Sequence, residues 1–157
     1  MSGIHVQRFV VPASAIDLNR HVNNVEYLRW MQDVAIEHST QMGWPMERYL
    51  RNRCSWVIRS HFIEYLRPAL RDDELMLLTW VTEMGERSSV RKYRFWRPRD
   101  RQILARAETN WVFVDARVGL PRDILPEVRA DFRLVADETE IETLLAELQP
   151  AERSPAI

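Results

Sequence analysis

Hydrophobic and polar positions change their period twice along the chain. From His5 to Val11 they alternate, as in a strand half buried in a sheet, and Pro12 ends the run. Between Tyr27 and Met42 the period becomes helical. Tyr27, Met31, Val34, Ala35, His38 and Met42 fall on one face, with Arg29, Asp33, Glu37 and Gln41 opposite. Asn23 stands ahead of this run as an N-cap, with Glu26 three residues on as the reciprocal partner of a capping box; Gly43 and Pro45 close it. A helix of that extent is about 28 Å long, and its apolar face needs a sheet to lie on. Four strand-like runs follow: Cys54 to Leu66, Glu74 to Thr82, Ser88 to Trp96 and Gln102 to Val114. The breaks RPALRDD, EMGER and RPRDR are short enough to join antiparallel neighbours. In the last run Ile103, Ala105, Ala107, Thr109, Trp111 and Phe113 are expected on one face, with Arg106, Glu108 and Asn110 on the other. Beyond DARVGLPRDILPE, the stripe Ile141, Leu144, Leu145 and Leu148 predicts a C-terminal helix and tail over residues 136–157, packed on the outside or on a partner. A strand, a long helix, four strands and a helical tail define an α+β fold with an antiparallel sheet, in a single domain over residues 1–157.

Composition narrows the classes. A chain of 157 residues is one domain long, and a domain of about 150 residues buries about 70% of the surface its unfolded chain exposes. Charged residues make up 29% and the net charge is -1, which favours neither a polyanion binder nor an acidic tail. Cys54 is the only cysteine, so an intrachain disulfide and a thiolate metal cluster are both excluded, and a reducing cytoplasm is the expected compartment. MSGIHVQRFVVPA lacks a charged segment followed by a sustained apolar stretch, and nowhere do eighteen apolar residues run together; neither export nor membrane insertion is expected.

The candidate chemistry lies in DLNRHVNNVEYLRW, residues 17–30. First-turn N–H groups of a helix lack intrahelical partners and sit at the positive end of its dipole. A carbonyl held there is polarised, and the oxyanion formed on attack is held better still. Asp17, six residues before Asn23, can reach the same atom as general base for water or as direct nucleophile, with Asn19 and His21 orienting the water or donating to the carbonyl. Turn formation by Asp17 and Asn19, capping by Asn23 and a loop hydrogen bond from His21 are the competing structural explanation.

The same residues resemble the signature of hotdog-fold thioesterases, which include 4-hydroxybenzoyl-CoA thioesterase-like enzymes and plant acyl-ACP thioesterases. Asp17 stands four residues before His21, followed by Val22, Asn23, Asn24 and Tyr27; the D-x-N-x-H-V-N-N form is closest to the acyl-ACP branch. Residues 105–125 resemble the family's last strand and the GLPRDIL-like segment after it. The resemblance implies a five-stranded antiparallel sheet wrapped around one long central helix. It implies hydrolysis of acyl-CoA or acyl carrier protein thioesters, with Asp17, Asn19 and His21 catalytic, Asn23 and Asn24 at the carbonyl and Tyr27 lining the acyl pocket. It implies no cofactor and no metal, and a homodimer or homotetramer with sites at the subunit interface. Two departures stand out: Ala15 replaces an earlier acid and Arg20 a glycine.

Other candidates are weaker. Glu64 is expected on the strand face shared by Trp56, Ile58, Phe62 and Leu66, either as a further catalytic acid or as the partner of Arg67 or Arg59. RKYRFWRPRDR, residues 91–101, interleaves arginines with aromatics as a single-strand nucleic-acid platform does, but Pro98 and Asp100 and the near-neutral charge favour an exposed hairpin, and no nucleic-acid partner is expected. Some of its arginines could instead bind CoA phosphates. His5, His38 and His61 lack metal-ligand spacing, with His38 expected buried and satisfied, and no G-x-S-x-G elbow or phosphate loop occurs. Two rival functions remain: a hydratase or dehydratase using His21 and Glu37, and a non-catalytic acyl-thioester-binding module.

Overall fold

A computed structural model describes residues 2–148. Strand β1 (His5–Val10) and a 3-10 turn at Ala13–Ala15 precede helix α1 (Asn24–Gln41) and the short α2 (Met46–Arg51). Strands β2 (Cys54–Tyr65), β3 (Glu74–Met84), β4 (Ser88–Arg97) and β5 (Gln102–Asp115) follow, then α3 (Pro126–Asp131) and α4 (Thr139–Glu147). All five strands form one antiparallel sheet in the order β1-β3-β4-β5-β2. This is the hotdog arrangement, a sheet wrapped on a single long helix. The part of the expected tail beyond residue 148 lies outside the described residues.

The strand boundaries fall where alternation ends, but the connectivity differs from a chain of hairpins. β2 does not pair with β3; it forms the far edge beside β5. Crossing from there to β3 passes two strands, a span of about 14 Å at 4.8 Å per strand, within reach of the RPALRDD segment at about 3.3 Å per residue.

One face of the sheet carries α1. Tyr27, Met31 and Val34 pack on Leu75, Leu77, Tyr93, Phe95, Leu104, Ala105 and Ala107, and a second cluster beyond the C-terminal half of α1 joins Trp44, Tyr49, Cys54, Phe113, Val128 and Phe132. The other face carries α4, whose Ile141 and Leu145 cover Met76, Leu78, Trp80 and Trp96. The C-terminal stripe thus closes the protein's own sheet. Gly43, at φ +94, supplies the left-handed residue after α1.

Two bulges move residues off their expected faces. Phe95 pairs with Ala105 but Trp96 with Ile103, so Leu104 is an extra residue; it turns toward α1 while Ile103 packs under α4. In β2, Ile58 faces Trp111 but Ser60 faces Asn110, so Arg59 is extra and the alternation after it is reversed.

RKYRFWRPRDR is not an exposed hairpin. Arg91, Arg94 and Arg97 are at most 9% exposed because β4 lies third of five strands with a helix on each face. Only the turn at its end, residues 99–101, is exposed. The segment therefore offers no flat aromatic platform for single-stranded nucleic acid.

His38 is buried as expected, its Nδ1 accepting from Arg91 Nη1 at 2.9 Å and its ring stacked on His5 at 5.5 Å. Burial, then the Arg91 charge and His5, push its pKa down from 6.5 to about 3. An unfolded chain protonates this histidine below about pH 6.5 and the folded one does not, so its contribution to stability is complete above that pH and is lost on acidification. We expect the stability gap between wild type and His38→Gln to narrow by about 1.4 kcal/mol per pH unit from pH 6.5 downward. Urea midpoints at several pH values measure this; a gap that stays constant contradicts it.

Candidate active site

The loop ahead of α1 is a tight, closed turn. Ile16 bridges Val22, Asp17 N–H donates to His21 O at 2.9 Å, and Arg20 N–H donates to Asp17 O at 3.0 Å. Asp17 Oδ1 accepts from Asn19 N–H at 2.8 Å, an Asx turn that fixes the carboxylate at the loop base. Arg20 holds φ +65, the left-handed conformation natural to glycine, so the loop keeps its shape where the sequence departs from the family pattern. Val22 N–H and Asn23 N–H are tied to Ala69 O at 3.0 Å and Ala15 O at 2.8 Å, which anchors the turn to the domain.

Asn23 caps α1, but its side chain accepts from Val25 N–H at 3.0 Å. The capping box does not form, because Glu26 turns to Arg29 at 3.7 Å and the Asn23 N–H that it would accept is already taken by Ala15. Glu26 N–H is bound by Asn23 O at 2.9 Å. That leaves Asn24 N–H as the exposed first-turn donor without a partner among the described residues, beside the loop that holds Asp17. The helix mouth therefore presents one open N–H and one carboxylate on a rigid turn.

Asn19 and His21 are on the same loop and exposed, and no hydrogen bond among the described residues holds either side chain to Asp17. Leu18 projects fully into solvent. Tyr27 is buried in the core: it is 2% exposed, packed edge-on against Tyr65 and Phe95 at 5.1 and 5.0 Å, and burial pushes its hydroxyl up to about 12. Glu64 sits on the face of β2 away from α1, opposite Arg106, because the Arg59 bulge turns His61, Ile63 and Tyr65 toward the helix instead. Within this chain the structure gathers Asp17, Asn19, His21, Asn23 and Asn24 in one turn and places Glu64 on the opposite face of the sheet. On the helix side of β2, His61 is fixed by a neighbour, its Nδ1 lying 2.8 Å from Thr109 Oγ1.

Farther along α1, between its C-terminal half, α2 and β2, lies a cavity of about 140 Å³. Ile36, Met46, Trp56, Val81, Met84 and Phe132 give it apolar walls, and Arg91 lines it from β4. Sequence reading did not single out this cavity or Arg91 as a site. The available signal was Arg91 alternating with Tyr93 and Phe95 on one strand face.

A sheet wrapped on one helix, with a polar turn at the helix mouth and an apolar cavity behind it, defines a hotdog enzyme scaffold. The sequence signature of the thioesterase-like superfamily matches residues 11–132, and the chain belongs to that family. No curated protein matches the chain in sequence. Among solved structures, a 1,4-dihydroxy-2-naphthoyl-CoA thioesterase from Synechocystis is similar with a TM-score of 0.76 at 14% identity, covering 83% of this chain and 96% of that one. A gentisyl-coenzyme A thioesterase is similar with a TM-score of 0.73 at 19% identity, covering 82% and 100%. A DHNA-CoA thioesterase from Staphylococcus aureus reaches 0.75 at 11% identity, covering 94% and 97%. No described helix is long and apolar enough to cross a membrane.

Proposed function

We propose that the protein hydrolyses acyl thioesters, with the carbonyl seated on the Asn24 N–H at the mouth of α1 and Asp17 acting on it from the adjoining turn. The observation that carries this reading is the juxtaposition of an open first-turn donor with a carboxylate held by its own Asx turn. Asp17 serves either as general base for water or as nucleophile. Asn19 and His21, whose side chains have no hydrogen-bond partner among the described residues, would complete the site when substrate is present. Coenzyme A is the proposed thiol carrier, supported by the CoA esters named for the similar structures, and acyl carrier protein is the alternative carrier. The proposed compartment is the cytoplasm, on the single buried cysteine.

The proposal includes a second copy of the chain paired along β2. This twelve-residue strand is a sheet edge, and Val57, Ile58, Phe62, Tyr65 and Leu66 on or beside it are 38–65% exposed. Unpaired edges with exposed apolar side chains recruit another strand. Antiparallel pairing about a two-fold axis through the middle of β2 sets Ser55 and Trp56 of one copy beside Tyr65 of the other. Trp56 lines the cavity, and Tyr65 OH donates to Asn24 O at 3.4 Å. Each cavity then adjoins the helix mouth of the partner. Phe62→Asp replaces an exposed apolar side chain of that seam with a charge that must be desolvated on pairing; sedimentation is expected to show the dimer dissociation constant raised at least about tenfold, with hydrolysis falling in step. A wild-type protein that sediments as a monomer at tens of micromolar contradicts this assembly.

The hydratase alternative is disfavoured by Glu37, which is bound to Gln7 Nε2 at 2.7 Å and lies 3.2 Å from His5 Nε2, thirteen residues along α1 from its mouth. At 1.5 Å per residue that is about 20 Å from the loop bearing His21. Crotonyl-CoA separates the two reactions: hydrolysis yields crotonate and free CoA, whereas 3-hydroxybutyryl-CoA with its thioester whole would overturn the proposed reaction.

A further inference from the structure

Three arginines on β4 are buried, and two of them have carboxylate partners. Arg94 reaches Glu138 at 3.3 Å, and Arg97 reaches Asp73 at 2.9 Å and Asp100 at 2.7 Å. Arg91, 5% exposed, has none among the described residues. Its Nη1 donates to His38 Nδ1 at 2.9 Å and to Thr79 Oγ1 at 3.0 Å, both neutral acceptors. A guanidinium carries five N–H donors and stays charged at any physiological pH. Its Nε–H and Nη2–H groups therefore have no bonded partner among the described residues, and the residue forms part of the cavity wall.

Burying an unpaired charge is strongly unfavourable unless something supplies the opposite charge. Nothing in the cavity wall does, since its other members are apolar, aromatic, hydroxyl or amide side chains. A cavity of about 140 Å³ has the size of one known to hold a benzene ring. A matching ligand has a compact apolar body and an anionic tip.

We propose that Arg91 selects acyl groups bearing a carboxylate at the end remote from the thioester, so that the substrates are half-thioesters of small dicarboxylic acids, aliphatic or aromatic. The apolar body fills the space between Ile36, Trp56 and Phe132, and the carboxylate takes the free Nε and Nη2 donors as a bidentate pair. His38, held neutral against Arg91, fixes the guanidinium without competing for the anion. This inference rests on the thioester hydrolysis proposed above, and its test separates the two.

Matched esters provide the test: glutaryl-CoA against valeryl-CoA, and 3-carboxybenzoyl-CoA against benzoyl-CoA. The wild type is expected to prefer the carboxylated member of each pair by at least about tenfold in kcat/KM, and Arg91→Gln to bring the ratio below one. Binding is read separately, by the Tm shift that free glutarate and free pentanoate produce in the wild type, in Arg91→Lys and in Arg91→Gln. Glutarate is expected to stabilise the first two and pentanoate neither. If Arg91→Gln does not fold, the kcat/KM ratio in Arg91→Lys decides: loss of the bidentate pair is expected to lower the preference for the carboxylated esters, and an unchanged preference overturns the pairing. Thiol release without preference for the carboxylated esters overturns the role of Arg91 and leaves hydrolysis standing. Glutarate binding without thiol release from any ester sinks hydrolysis and upholds the anion site, and equal shifts from glutarate and pentanoate overturn the site.

Discussion

Asp17→Asn is expected to lower thioester turnover by at least about a hundredfold while leaving the fold intact. The carboxylate oxygen that accepts from Asn19 N–H at 2.8 Å has an amide-oxygen equivalent in asparagine, so the Asx turn and the backbone bonds between Asp17, Arg20 and His21 survive. What the variant loses is the negative charge needed to take a proton from water or to attack the carbonyl. Positioned acid/base groups contribute about 10²–10⁴ in rate. An unchanged circular-dichroism spectrum and Tm, with turnover down to 1% or lower, is the expected pair of readings. Turnover within threefold of wild type would remove Asp17 from the chemistry.

Asp73→Ala is expected to cost the largest amount of stability, about 2–3 kcal/mol, or about 5–10 °C in Tm for a domain of this size. Asp73 is 6% exposed, and its Oδ2 accepts from both Arg97 Nη1 and Leu70 N–H at 2.9 Å. Alanine leaves a buried guanidinium with Asp100 as its one remaining carboxylate partner among the described residues and strips Leu70 of its acceptor. Ala69, next to Leu70, supplies the carbonyl that holds Val22 N–H under the site loop, so activity is expected to fall together with stability. Thermal melts check the first effect. A loss of under about 1 °C would show that Asp100 alone balances Arg97.

Periodicity alone makes much of the fold legible. The apolar phase of α1 and the ends of all five strands follow from it within about two residues, because turn residues interrupt each apolar run. What it hides is whatever alternation cannot encode. The Arg59 bulge in β2 and the Leu104 bulge in β5 insert single residues with no compositional mark, and each reverses a face; that is why Glu64 and Ile103 were expected on the wrong side. The β4 arginines read as solvated because their partners, Glu138, Asp73 and His38, lie far away in sequence. The short α2 and α3 carry too few turns for a period to register.

At the site, the turn from Asp17 to Asn24 was legible as a motif because its hydrogen bonds are local. Arg20 in a left-handed conformation shows that the loop geometry outlasts the loss of the glycine. Arg91 was not legible, since its meaning depends on the absence of a carboxylate in three dimensions. Tyr27 was legible as a core-facing helix position, but its edge-on packing against Tyr65 was not.

Release of free thiol by the wild-type protein from short, long, aromatic and carboxylated acyl-CoA esters, and from acyl carrier protein esters, tests the central claim most directly. The account predicts release from at least one compact acyl-CoA, lost in Asp17→Asn. No release above the uncatalysed rate from any CoA or carrier-protein ester, by protein that binds them, would contradict it and leave a domain that holds acyl thioesters without cleaving them.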